Sequence, residues 1–168
     1  MGDEFLALRA TDSRVRLRVA QRFDASPERV FDAWLDPAMA SAWLFATESH
    51  PMARVEIDAR VGGSFRFVDR RDNGEIEHTG KYLEIVPPRR LVFTLFMETR
   101  PRVATRVAAE IVPLETGCEL RVVHENVPPG HANHIEGRWT GMLYGLGTRL
   151  GAKPAGAQVS SCEVHDNN

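Results

Sequence analysis

Residues 26–45 read SPERVFDAWLDPAMASAWLF, and the punctuation of this stretch decides how the chain is built. Ser26, Pro27 and Glu28 form a helix start. The Ser26 hydroxyl is placed to accept a free backbone N–H, Pro27 gives up a donor that has no partner there, and Glu28 faces the positive helix end. Val30, Phe31, Trp34 and Leu35 follow at helical spacing, and Asp36 with Pro37 stops the run. A second short helix is expected over 38–44. Upstream, RVRLRVAQRF (residues 14–23) alternates, with Val15, Leu17, Val19 and Phe23 on one face and Arg14, Arg16, Arg18 and Arg22 on the other. That alternation marks a half-buried strand.

Downstream of the two helices the period stays at two. Strands are expected over 54–58, 64–69, 75–86, 89–98, 102–112 and 118–125, with turns at Gly62-Gly63, Asn73-Gly74, Pro87-Pro88 and Thr116-Gly117. The period then changes. Over 131–150, residues Ile135, Trp139, Met142, Leu143, Leu146 and Leu150 fall in one stripe at about 100° per residue, the pattern of a long amphipathic helix. The expected fold is α+β: a curved antiparallel sheet wrapped around a long C-terminal helix, with two short helices after the first strand. Residues 14–150 make one domain, and 1–13 and 151–168 are expected to be flexible ends.

Composition narrows the class of partner. A formal charge of −2 with 26% charged and 43% hydrophobic residues describes an ordinary globular chain. Nucleic acid and anionic membrane both call for a concentrated basic surface, so neither is expected as a partner. No apolar run approaches the roughly 18 residues of a membrane span, and acidic residues stand where a signal peptide would be basic. A cytoplasmic location follows, with Cys118 and Cys162 reduced.

Strand parity indicates which side chains meet the long helix. Leu91, Phe93, Leu95 and Met97 form an apolar set and face inward. Glu75, Glu77, Thr79 and Lys81 face out, which sends Ile76, His78, Gly80 and Tyr82 in, with a bulge expected near Leu83 and Ile85. Phe65, Phe67, Thr105, Leu120, Val122 and His124 join them. Rings mixed with histidines and a glycine suit a wet or ligand-filled space better than a sealed core, where each polar group needs a partner.

Catalytic signatures are lacking. There is no G-x-S-x-G elbow and no phosphate loop, and the candidate acid-base groups His78, His124, Tyr82 and Glu98 have no spacing that identifies a reaction. His131 and His134, near His124, fall short of a zinc ligand set. Neither metal nor cofactor is expected. Gly137, Gly141 and Gly145 form a ridge opposite the apolar stripe, at about 1 kcal/mol each relative to alanine in a helix. That ridge favours a homodimer contact over the alternative of a mobile helix.

FDASPERVFDAWLDPAMASAW, GGSFRF, HTGKYLEIVPPRRLVFT, GCELRVVHENVP and EGRWTGMLYGLGTRL together resemble the bacterial homologues of the activator of the ninety-kilodalton heat-shock-protein ATPase. These belong to the START-related (SRPBCC) superfamily. The resemblance implies a helix-grip fold, similar to the birch-pollen allergen, with a deep hydrophobic cavity between sheet and helix. It places Trp43 as the aromatic after the second helix, Tyr82 as the ring of the G-x-Y-L-E-I-x-P-P segment, His124 at the end of the last strand, and Trp139 in the final helix. Leu44 and Phe45 depart from the second tryptophan and Gly-Pro of many relatives, so the rim is reshaped. The eukaryotic activators' separate chaperone-binding N-terminal domain is not expected here.

The expected function is binding or sequestration of a small hydrophobic molecule, lipid-like or aromatic. Trp43, Phe65, Phe67, Tyr82, Phe93 and Trp139 would supply apolar wall together with Met142, and His78 and His124 the polar contacts. Phe31 and Trp34 would hold the first helix to the sheet, and Phe45 would join Trp43 at the rim. The alternatives are an enzyme of the polyketide cyclase or hydratase kind, and a co-chaperone-like stress protein acting through an outer surface.

Overall fold

The computed structural model describes residues 14–45, 52–72, 74–97, 102–150 and 158–164. The first strand, β1 (Val15–Phe23), buries Val15, Leu17, Val19 and Phe23 while Arg18 and Arg22 stay exposed. Helix α1 (Pro27–Leu35) starts where expected, with Arg29 N–H donating to Ser26 Oγ at 3.3 Å. Asp36 serves two helices at once. Its N–H closes α1 on Asp32 O, and its carboxylate caps α2 (Pro37–Trp43) by accepting from Ala38 N–H at 3.1 Å.

The chain then crosses to the far edge of the sheet and returns strand by strand through β2 (Met52–Ile57), β3 (Ser64–Arg71), β4 (Gly74–Val86), β5 (Arg90–Met97), β6 (Val103–Pro113) and β7 (Cys118–Val127). The spatial order is β2-β3-β4-β5-β6-β7-β1, every neighbour antiparallel. A 3₁₀ turn at Pro129–His131 leads into α3 (Ala132–Arg149), which crosses the concave face. This is the expected α+β helix-grip arrangement. The bulge also falls as expected: the β4–β5 register shifts between Tyr82 and Glu84, and Leu83 is pushed into solvent while Tyr82 stays buried.

One expectation about the ends is corrected. Residues 158–164, read as part of a loose tail, form β8 (Gln158–Val164) antiparallel to β1 and extend the sheet. The open edge of β1 offers unpaired backbone donors and acceptors, and pairing with them requires no apolar period. The expected flexible segment 1–13 lies outside the described residues.

The core lies between the concave face, α1, α2 and α3. Ile135, Trp139, Met142, Leu143 and Leu146 of the helical stripe are all buried in it. Helix and sheet are also tied by a polar pin: Gln21 on β1, 2% exposed, donates from Nε2 to Leu143 O at 3.2 Å. Gln21 stands on the inward parity of β1 among valines and leucines. A buried amide there is tolerable because it gains a partner.

Candidate functional site

Between sheet and helix the described residues form one packed cluster. The centre is filled by rings. Trp34 meets Trp43 edge-on at 4.8 Å and lies 6.0 Å from both Trp139 and Phe93. Phe65 packs on Phe93 at 5.3 Å and Tyr82 at 5.4 Å. Trp43 was expected at a rim, but it is 2% exposed and its indole Nε1 donates to Ala33 O at 2.9 Å. Trp34 thus meets both other tryptophans at the middle of the grip, and its edge-to-face contact with Trp43 is itself favourable.

Space remains at one end, beside the first turns of α3. There a cleft of about 200 Å³ opens between that helix, the start of β4 and the end of β5. His78 and Ile76 of β4 form one wall, Leu95, Phe96 and Met97 of β5 the next, and Ile135, Trp139 and Met142 of α3 the third. Phe45, immediately after α2, closes the side, and His131, His134 and Arg138 stand at the mouth. At roughly 30 Å³ per liquid water, the volume suits one small ring or a short chain.

Four of the nine side chains expected from sequence to bind the ligand meet at this cleft: His78, His124, Trp139 and Met142. The other five do not line it. Trp43, Phe65, Phe67, Tyr82 and Phe93 are packed in the core behind. Sequence reasoning left out Ile76, Leu95, Met97 and Ile135 as lining residues although their parity and helical phase pointed inward. Arg138 carried no such signal.

Phe45 is held unusually. Its backbone is left-handed (φ 60), its N–H points to Met142 Sδ at 3.0 Å, and its carbonyl accepts from Arg138 Nη2 at 3.2 Å. Arg138 and Met142 are four apart on α3, so one helix face grips both ends of the residue. The ring then stacks on His78 at 4.6 Å with planes 10° apart, and meets Phe67 edge-on at 5.2 Å. A left-handed phenylalanine is uncommon, and these contacts hold it there.

His124 is committed to structure. Thr105 Oγ1 donates to Leu95 O at 2.7 Å, so its oxygen receives the Nε2–H of His124, also at 2.7 Å. Nδ1 accepts from Trp139 Nε1 at 3.1 Å. Both ring nitrogens are thereby used, and the tautomer carries its proton on Nε2. Burial pushes the ring's pKa down to about 4, and the Trp139 donor leaves no acceptor for a second proton. His124 is a neutral strut, with no lone pair to offer a substrate.

The remaining acid-base candidates disperse. Burial raises the Tyr82 phenol far above its ordinary value, and the ring lies in the core. Glu98 lies outside the described residues. Among the described residues no three His, Cys, Asp or Glu side chains are placed to hold a metal ion. Cys118 is a free, buried thiol whose pKa burial raises to about 11, too high for a reactive thiolate. No helix among the described residues is long and apolar enough to cross a membrane.

The sequence profile of the family described as activator of Hsp90 ATPase homolog 1-like protein matches residues 24–151. The chain belongs to this family. Among solved structures, a protein from Chromobacterium violaceum is 28% identical with a TM-score of 0.72, covering 80% of this chain and 96% of its own. A family member from Aeromonas hydrophila superposes with a TM-score of 0.70 at 19% identity, over 81% of this chain and 92% of that one. An Hsp90 activator from Plasmodium falciparum has a TM-score of 0.66 at 20% identity, over 83% of this chain and 99% of that one. No curated protein matches the chain. The last two likenesses establish a shared fold.

Proposed function

We propose that the protein binds a small, largely apolar molecule in the cleft beside the start of α3. The observation that carries this reading is the cleft's wall: rings and aliphatic side chains from three elements face about 200 Å³ of space at the mouth of an otherwise filled core. A sealed core of this composition would close such a space, because each unfilled contact forfeits dispersion and burial energy. The volume favours a single ring or short acyl chain over a large lipid. Arg138, His131 and His134 at the mouth suit a ligand whose polar end faces solvent.

Binding is favoured over turnover because His124 is locked by Thr105 and Trp139 and Tyr82 is sequestered. Among the described residues, a cyclase or hydratase reading would therefore rest on His78 inside the cleft and on His131 and His134 at its mouth. Native mass spectrometry of the protein purified from its own host tests the proposal: a retained small molecule supports it and gives the ligand class. A protein that emerges empty, and whose tryptophan emission does not respond to anilinonaphthalene sulfonate, would overturn it.

A second reading, a co-chaperone-like stress protein, is supported by the family's description and by the Plasmodium relative's. The glycines Gly137 and Gly141 face solvent, with open space around an added Cβ at each. A homodimer through that helix face is a further proposal, tested by sedimentation of the wild type against Gly141→Leu.

A further inference from the structure

The outer face of the sheet carries a feature that the cleft does not explain. A trough of about 350 Å³ runs across β5, β6, β7 and β1. Its floor is small: Ala108 pairs with Val123, and Val123 with Arg18 at the β1 end. On one side stands the row Arg90, Glu110, Arg121, and on the other Arg106 beside Glu125, with Arg16 reaching the same carboxylate. Five arginines thus line the trough against two glutamates, in a chain whose formal charge is −2.

The internal pairing does not neutralise this face. Glu125 is divided between two guanidiniums, Arg16 at 3.3 Å and Arg106 at 3.4 Å. Glu119 is divided in the same way between Arg121 at 2.6 Å and Arg22 at 3.3 Å. Arg90 and Arg121 bond Glu84 and Glu119 through Nε, which leaves the outer N–H groups of each fork directed elsewhere. Arg121 remains 55% exposed at the side chain.

We propose that this trough docks an acidic, extended segment of a partner protein. Three interstrand steps separate β5 from β1, about 14 Å, which four or five extended residues span. Alternate side chains of such a segment point to opposite sides, so its carboxylates meet the two arginine walls in turn, and Ala20, Ala108 and Val123 let its backbone come close. Glu110 and Glu125 interrupt the positive field. A compact polyphosphate or a nucleic acid backbone, with charge at every step, meets those carboxylates, whereas spaced carboxylates avoid them. Docking in the trough is independent of a ligand in the cleft, whose lining shares no residue with it.

The test is fluorescence anisotropy with a labelled ten-residue peptide of alternating Glu and Ser at about 50 mM salt, where exposed charges are weakly screened. Saturable binding is expected. The triple variant Arg90→Gln, Arg106→Gln, Arg121→Gln should weaken it about tenfold or more, and the control triple Arg54→Gln, Arg60→Gln, Arg70→Gln, of equal charge change, less than about twofold. Glu110→Gln, which removes an interrupting carboxylate and risks little in folding, should tighten binding by about two- to fivefold. Absent saturation, equal losses in the two triple variants, no gain from Glu110→Gln, or displacement by inorganic phosphate at concentrations matching the peptide's carboxylates would each overturn the proposal.

Discussion

Trp139 Nε1–H donates to His124 Nδ1 across 3.1 Å inside the core, joining α3 to β7 at the inner wall of the cleft. Through Thr105 the same bond reaches the backbone of β5 at Leu95. One indole N–H therefore fixes a histidine tautomer and ties the helix to three adjacent strands.

Trp139→Phe keeps most of the ring and removes that donor, leaving His124 Nδ1 buried and unpaired. The expected loss is about 1–3 kcal/mol in urea denaturation. In a His124→Leu background the same substitution should be milder, because no acceptor is stranded. Equal losses in both backgrounds would mean that the bond contributes nothing.

The pH dependence follows from the same ring. In an unfolded chain a histidine titrates near 6.5, about as the free side chain does, whereas folded His124 titrates at about 4. As pH falls from about 6.5 to about 4 the unfolded state takes up a proton that the folded state refuses. Stability drops across that window by on the order of 3 kcal/mol and levels off below it. Urea melts of the wild type and of His124→Gln between pH 7 and pH 4 should show this slope only in the wild type.

Two glycines should respond in opposite directions. At Gly80 an added Cβ would lie 1.7 Å from Thr94 O and 2.7 Å from the Phe65 ring. Gly80→Ala is expected to destabilise by about 3 kcal/mol or more. At Gly141 nothing lies within 4 Å of the added atom, and Gly141→Ala should stabilise the helix by about 1 kcal/mol. Thermal melts of the two variants check both signs.

Ile76 is half-buried on the cleft wall. Ile76→Trp places a larger ring in the space without disturbing the tryptophan core, so anilinonaphthalene sulfonate binding should fall at least about tenfold while stability changes by less than about 1 kcal/mol. Retained affinity in the folded variant would move the site elsewhere.

Much of this was legible residue by residue. Alternation in β4, β6 and β7 told inward from outward, so His78, Tyr82, Thr105 and His124 were all expected on the concave side, where they lie. The Ser26 cap and the stop at Asp36 follow from short-range chemistry, whereas the Asp36 cap on the second helix emerged only with the structure. Parity does not say how deep a side chain sits, however. Phe67 and His78 are cross-strand partners, yet one belongs to the packed core and the other borders the cleft.

What the sequence by itself determined is therefore local and periodic: the caps, the strand alternation, the bulge at Leu83 and the buried stripe of α3, because each depends on neighbours within a few residues along the chain. Tertiary structure alone decided where volume was left over. Three tryptophans from α1, α2 and α3 fill the middle of the grip, Arg138 and Met142 set Phe45 over one end, and β8 finds the open edge of β1. A cavity is the difference between the space that distant elements enclose and the side chains that enter it, and no single segment carries both quantities.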